Sequence, residues 1–139
     1  MSWKNPGDKT ISRILSEAKT VAVYGCSPKE DRTSYHITAF LIEQGYRVYP
    51  VHPIAETILG QQVYPNLASI PEHVDIVNVF RKAEFTPEVA RQAVEIGAGT
   101  LWLQLGIINA ESWKIATGAG LGCVMDRCIE VQYQRLVKQ

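Results

Sequence analysis

The residues between Gly25 and Tyr35 carry the groups best suited to chemistry in this sequence. They follow an apolar run and precede a helix-like stretch, and they read Gly25-Cys26-Ser27-Pro28-Lys29-Glu30-Asp31-Arg32-Thr33-Ser34-Tyr35. Gly25 permits close approach of a ligand to the backbone, and Ser27, Lys29, Arg32 and Ser34 offer hydrogen-bond donors. A helix N-terminus adds free N–H groups that attract anions. The loop is therefore a candidate phosphate site, although a polar loop before a capped helix explains the same residues.

The loop does not fit the dinucleotide fingerprint. The GxGxxG pattern requires glycine at the positions held by Ser27 and Glu30. NAD enzymes also place an acidic residue after the second strand to bind the ribose, whereas this strand ends Val51-His52-Pro53. His52, together with Arg32 and Arg81, suggests a nucleotide with an additional phosphate, although a satisfied loop histidine is the plainer interpretation. An NAD(P)-binding redox enzyme or sensor stays as the alternative function.

Two further strand ends offer ligand contacts. Phe80 could flank an adenine while Arg81 pairs with a phosphate, or Phe80 could be core and Arg81 a solvated cation. Gln104 and Gly106 offer an amide and a close backbone approach, or only a strand end with a turn glycine. These residues extend the candidate site along one edge of a sheet.

The cysteines are Cys26, Cys123 and Cys128, and none belongs to a CxxC pair. Cys128 follows Arg127, which favours the thiolate, but no histidine is placed by the sequence to act as its base. Cys26 and Cys128 both follow strands, so they could face one crevice, where ligand contact or thiol exchange is favoured over catalysis. A thiol-based transferase is a third hypothesis. Since the histidines have no metal-ligand spacing with the cysteines, no metal is implied.

The elements that position these residues alternate between strands and helices. The predicted strands are 20–24, 46–51, 74–80, 100–105 and 122–125, and the predicted helices are 10–18, one that Ser34 caps and Gly45 ends, one from Thr86 to Gly97, and one from Glu111 to Gly118. A short extended piece, 62–64, and a capped turn lie between the second and third strands. The alternation predicts an α/β, Rossmann-like three-layer sandwich with a mostly parallel sheet of about five strands.

Composition limits the function further. A length of 139 residues suggests a single domain, 1–139, and 46% hydrophobic residues are enough for a core. The formal net charge is zero, which argues against nucleic-acid binding. The sequence has neither a membrane-spanning run nor a signal peptide, and an odd number of unpaired cysteines suits a reducing compartment. We therefore expect a cytoplasmic protein with no membrane partner.

The ordered blocks of this sequence resemble a known family, the small stand-alone bacterial coenzyme A (CoA)-binding proteins, which are similar to the N-terminal CoA-binding domain of the succinyl-CoA synthetase alpha subunit. The matching blocks are VYGCSPK at 23–29, GYRVYPVHP at 45–53, VDIVNVFR at 74–81, WLQLG at 102–106 and MDRC at 125–128, with Arg32, Ser34 and Tyr35. The chain departs from the family pattern at His52, where many relatives carry Asn or Ser.

The resemblance implies CoA as the cofactor and assigns parts of its site. Gly25, Ser27, Arg32 and Ser34 would serve the phosphates; Val51, His52 and Pro53 would border the nucleotide; and Phe80, Arg81, Gln104 and Gly106 would line the opposite wall. Cys26, Pro28, Tyr35 and Cys128 complete the candidate set. We expect a protein that binds CoA or an acyl-CoA without catalysis of its own, as a homodimer or with a separate catalytic partner.

Overall fold

A computed structural model describes residues 3–137 as alternating strands and helices. The elements are α1 (Asp8–Glu17), β1 (Thr20–Tyr24), α2 (Thr33–Glu43), β2 (Arg47–Val51), β3 (Thr57–Ile58), β4 (Gln61–Gln62), β5 (Ile76–Val79), α3 (Thr86–Glu95), β6 (Thr100–Leu103), α4 (Ala110–Gly118), β7 (Gly122–Val124) and α5 (Ile129–Leu136). Two short 3-10 turns, Leu67–Ser69 and Ala83–Phe85, lie between them.

Five strands form one parallel sheet in the order β2-β1-β5-β6-β7. The chain leaves β1 toward β2 on one side and later returns to build β5, β6 and β7 on the other side. Val23 of β1 accordingly lies between Pro50 of β2 and Asn78 of β5. The strand order therefore reverses between β1 and β5, which is where open α/β sheets bind ligands at the carboxyl ends of their strands.

Helices cover both faces of this sheet, as its apolar strands require. Ile11 and Leu15 of α1, Ile37 and Leu41 of α2, and Ile129 of α5 pack on one face. Val89 and Ala93 of α3 and Ala116 of α4 pack on the other. The predicted Rossmann-like three-layer fold is confirmed.

Short segments cover the two edges of the sheet. Beside β7, the Asn5 side chain donates to the Met125 carbonyl at 2.7 Å and accepts from the Met125 N–H at 2.8 Å. Beside β2, Tyr64 forms a parallel bridge with Val51 after the β3–β4 hairpin. Both segments satisfy backbone groups that an open strand edge would expose.

The structure differs from the predicted elements at several points. Helix α5 was not expected, although Ile129, Gln132, Tyr133 and Leu136 have helical spacing. Helix α2 begins one residue before Ser34, with Arg32 at the N-cap, because the Ser34 hydroxyl bonds elsewhere. The fourth predicted strand ends at Leu103, where the chain turns.

Within residues 3–137, no helix has both the length and the apolar character needed to cross a bilayer. The same part of the chain brings together no three His, Cys, Asp or Glu side chains that could hold a metal ion.

Candidate functional site

The site begins at Gly25, where β1 ends between its two neighbouring strands. Gly25 has φ +83°, and a Cβ at this position would lie 2.2 Å from the carbonyl oxygen of Phe80. Its N–H donates to the Val51 carbonyl at 3.1 Å, and the Phe80 N–H donates to the Tyr24 carbonyl at 2.8 Å. Only glycine allows the three strand ends to meet this closely at the point where the strand order reverses.

Two serines shape the loop that follows Gly25. The Ser34 hydroxyl accepts from the Ser27 N–H at 3.0 Å, and the Ser27 hydroxyl accepts from the Lys29 N–H at 3.1 Å. The N-cap of α2 is Arg32, which gives the helix no side-chain cap. The first turn therefore presents N–H groups and positive dipole character to any anion bound beside it.

A cavity of about 300 Å³ lies against this loop and helix start; its lining residues are Gly25, Ser27, Arg32, Thr33, Ser34 and Phe80. A second cavity, of about 460 Å³, is lined by Tyr24, Gly25, Val51, His52, Pro53, Pro65, Phe80 and Arg81. The two share Gly25 and Phe80, so they adjoin across the end of β1. Within the described part of the chain neither cavity is lined by a carboxylate side chain, which makes this edge suitable for an anionic ligand with an apolar part.

Arg81 and the half-buried Phe80 close one side of the second cavity. The Arg81 guanidinium carbon lies 4.5 Å from the centroid of the Phe85 ring, a cation–π contact that holds the exposed side chain. Beyond Arg81 a third cavity, of about 320 Å³, has Glu84, Glu88 and Glu111 in its lining. Arg81 lines this third cavity as well as the second. Because the carboxylates disfavour a phosphate in the third cavity, an anion that pairs with Arg81 is favoured on the side of the second.

His52 has a definite hydrogen-bonding role. Its Nδ1 accepts from the N–H of Ile54 at 3.1 Å and from the N–H of Ala55 at 2.9 Å. The imidazole thus closes the loop that leaves β2 while its ring lines the second cavity.

Gln104, Gly106 and Cys128 lie farther along the same edge and line neither of the first two cavities. The buried Gln104 Oε1 accepts from the Ile129 N–H at 2.9 Å, at the start of α5. The Gly106 N–H donates to Asp126 Oδ1 at 2.7 Å, and Asp126 itself has φ +59°. In the structure these groups tie the ends of β6 and β7 together; ligand contact by them stays a prediction.

The two cysteines expected to share a crevice have different surroundings. Cys26 is fully buried, its Sγ lies 3.2 Å from the Thr38 hydroxyl, and burial raises the pKa of its thiol. Its thiol therefore does not face the crevice, contrary to that expectation, because the turn at Gly25 directs it into the core beneath α2. Cys128 is half-buried and packs against the same core cluster.

The remaining candidates and some unforeseen residues complete the edge. Pro28 is exposed in the loop, and Tyr35 packs edge-on against His36 with 6.1 Å between ring centroids. The sequence interpretation missed Tyr24, Thr33 and Pro65 as lining residues. Tyr24 and Thr33 are neighbours in the chain of residues that the sequence analysis named. Pro65 reaches the cavity because it follows the β3–β4 hairpin, and no sequence pattern marks it as a site residue.

Comparison with known proteins gives this edge its context. The family described as the CoA binding domain matches residues 19–134 of this chain. The chain belongs to the CoA-binding domain family. The resemblance inferred from the ordered sequence blocks is thereby confirmed, and the matched range includes every candidate residue of the site.

Three relatives illustrate the family. The chain is 36% identical over 130 residues to the uncharacterized protein YneT of Bacillus subtilis, covering 94% of this chain and 96% of YneT. It is 32% identical over 123 residues to acetate–CoA ligase (ADP-forming) I of Archaeoglobus fulgidus, covering 80% of this chain but 18% of the ligase. A hypothetical protein from Pyrococcus horikoshii OT3 superposes with a TM-score of 0.92 at 37% identity, covering 99% of each chain.

Proposed function

We propose that this CoA-binding domain protein binds CoA or an acyl-CoA through the loops at the carboxyl ends of β1, β2 and β5, without catalysis of its own. The observation that carries the proposal is the pair of adjoining cavities where the strand order reverses, which are lined by donors and apolar rings and by no carboxylate. CoA combines an adenine, phosphates and a long neutral arm, so it needs both kinds of surface in one cleft.

The first cavity suits the phosphates of the ligand. Ser27, Arg32 and Ser34 line it together with the first turn of α2. The N–H groups of a helix start and a guanidinium both bind phosphate well. This arrangement supports the assignment of the phosphates to the loop after β1.

The second cavity suits the adenosine part and its additional phosphate. Val51, Pro53 and Phe80 supply apolar surface for a planar base. His52 and Arg81 supply donors in the same cavity. A nucleotide with an additional phosphate would use both, and an NAD ribose would find no carboxylate to accept from its hydroxyls.

A separate partner would supply any acyl-transfer chemistry. The match with the ligase named above covers 18% of the length of that ligase, so the ligase is much longer than the shared CoA-binding domain. The Cys26 thiol is a poor nucleophile because burial raises its pKa and closes it to ligands. These points support a binding role for this domain, with any catalysis supplied by a separate partner.

Isothermal titration with CoA, dephospho-CoA, NADP and NAD tests the proposal. We expect CoA to bind, dephospho-CoA to bind more weakly, and the two nicotinamide nucleotides to give no heat. Heat from NADP with none from CoA would overturn it in favour of the redox alternative.

Single substitutions then locate the site. Arg32→Ala and Arg81→Ala should each weaken CoA binding by roughly 1–3 kcal/mol if these cations pair with phosphates. Arg13→Ala is the matched control, because Arg13 is an exposed arginine that lies beside Gly99, Thr100 and Gly122 at the opposite edge of the sheet. Unchanged affinity in both site variants would place the ligand elsewhere.

A further inference from the structure

His52 has a hydrogen-bonding pattern that fixes where its proton lies. Its Nδ1 accepts two backbone N–H groups, from Ile54 at 3.1 Å and from Ala55 at 2.9 Å. A ring nitrogen that accepts must be unprotonated, so the proton of the neutral imidazole is on Nε2. The geometry around His52 is therefore that of the neutral Nε2–H tautomer.

The turn around His52 depends on that unprotonated nitrogen. Pro53 has a fixed φ suited to the second position of a turn, and the acceptor that an Asp or Asn side chain usually provides at the first position is here an imidazole. Ile54 at the tip is 83% exposed, whereas the His52 N–H donates to the Tyr64 carbonyl at 3.1 Å and Ala55 packs against the core. Between these two anchored ends, the bonds to Nδ1 hold the turn at Pro53 and Ile54 closed.

The other ring nitrogen is available to a ligand. His52 lines the second cavity, and its Nε2 has no hydrogen-bond partner among residues 3–137. The titratable groups that line the cavity with it are Tyr24 at the end of β1 and Arg81 after β5. The segment that ends at Pro65 adds none to the lining, and the exposed Glu56 lies four residues farther along the loop. A neutral donor beside a cation suits an acceptor atom of an anionic ligand.

We propose that His52 binds CoA as a neutral imidazole, with Nδ1 holding the loop closed and Nε2–H donating to an acceptor of the ligand. This proposal rests on the proposed function and adds to it the direction in which the affinity for CoA changes with pH. Protonation puts a hydrogen on Nδ1 and removes both loop bonds. The added charge next to Arg81 attracts an anionic ligand, but solvent screens this attraction at the half-buried ring, so the loss of the two bonds decides the direction. Affinity for CoA therefore falls in mild acid, the opposite of what an imidazolium paired with a phosphate would give.

The tautomer is tested first in the protein without ligand. Two-bond ¹H–¹⁵N correlation spectra distinguish the Nε2–H tautomer from the Nδ1–H tautomer, and the His52→Asn spectrum assigns the signals, since the chain has three histidines. We expect the Nε2–H pattern for His52 at about pH 8. An Nδ1–H pattern would overturn the proposal whether or not CoA binds.

The binding test compares affinities at about pH 8 and about pH 5.5, the range in which histidine titrates. Dephospho-CoA is titrated beside CoA, because it lacks the phosphate that changes charge in the same range. We expect the wild type to lose about 10-fold in affinity for dephospho-CoA on acidification, from the two lost bonds, and at least as much for CoA, whose additional phosphate also loses charge. A gain in affinity on acidification would overturn the proposal.

Two variants isolate the role of the ring. His52→Asn keeps a side-chain acceptor for the loop amides and does not titrate, so its affinity for dephospho-CoA should be weaker than that of the wild type but independent of pH. His73→Asn is the control, because His73 lies before β5, 3.3 Å from Asp75, and should leave the pH dependence in place. Full pH dependence in the His52→Asn variant would refute the role of His52. If CoA binds at neither pH, the proposed function is wrong, and the spectra still decide the tautomer.

Discussion

Gly25→Ala is the substitution that most directly tests the geometry of the site. Gly25 has φ +83°, and the added Cβ would lie 2.2 Å from the Phe80 carbonyl oxygen, a separation that real Cβ contacts do not show. That oxygen belongs to the strand beside β1, so relief requires the ends of β1 and β5 to move apart. The substitution therefore acts on the junction of the two proposed ligand cavities.

The cost of this substitution has two parts. A left-handed backbone costs a non-glycine residue about 1–2 kcal/mol. Separation of the strands also weakens the bonds from the Phe80 N–H to Tyr24 and from the Gly25 N–H to Val51, each worth about 0.5–1.5 kcal/mol. The summed loss in the free energy of unfolding is about 2–5 kcal/mol. A domain of ordinary stability stays folded after a loss at the lower end of this range.

Gly97→Ala separates the two parts. Gly97 has φ +67°, and its added Cβ would meet nothing within 4 Å, so this variant carries the backbone cost alone. Urea unfolding at 25 °C, followed by tryptophan fluorescence from the buried Trp102, gives both free energies of unfolding. We expect Gly25→Ala to lose at least about 1 kcal/mol more than Gly97→Ala, and to lose CoA affinity as well. Equal losses would refute the close approach of Gly25 to Phe80.

Three further predictions concern stability. The Asn78 amide is fully buried in β5, and neither its nitrogen nor its oxygen has a partner among the described residues. Urea unfolding of Asn78→Val should therefore give a free energy of unfolding that is unchanged or about 1–2 kcal/mol higher, and a clear loss would mean that ordered water satisfies the amide. Asn5→Ala leaves the N–H and carbonyl of Met125 without their partner and should cost about 1–3 kcal/mol in the same assay, and an unchanged midpoint would show that the N-terminal segment adds nothing. The hydrogen bond from Arg47 holds the pKa of Glu72 at about 2, below its ordinary 4.5, so the pair stabilises the fold fully above about pH 4.5 and loses this effect as the pH falls toward 2. The melting temperature of Glu72→Gln should therefore depend less on pH between about 4.5 and 2 than that of the wild type, and identical pH profiles would refute the pairing.

Local sequence patterns were sufficient to predict most of the strands and helices of the fold. Thr20–Tyr24 and Ile76–Val79 are short apolar runs that only a sheet covered on both faces can bury, and Gly97 ends a helix whose start Pro87 marks. Helix α5 shows the limit of such signals, because it follows a tight turn at Asp126 and its first N–H, that of Ile129, donates to Gln104, 25 residues earlier.

Sequence patterns alone predicted the five strands of the sheet and the helices before α5 in their order along the chain, and from that order the edge at which Gly25, Arg32, His52 and Arg81 lie. These properties follow from the period of apolar residues and from the chirality of strand connections, which are local and general. The tertiary structure alone decided that Cys26 is buried, that Pro65 lines the second cavity, and that the Nδ1 of His52 accepts from two backbone N–H groups. Burial and hydrogen-bond partners depend on groups brought together from distant parts of the chain, so no local pattern in the sequence can specify them.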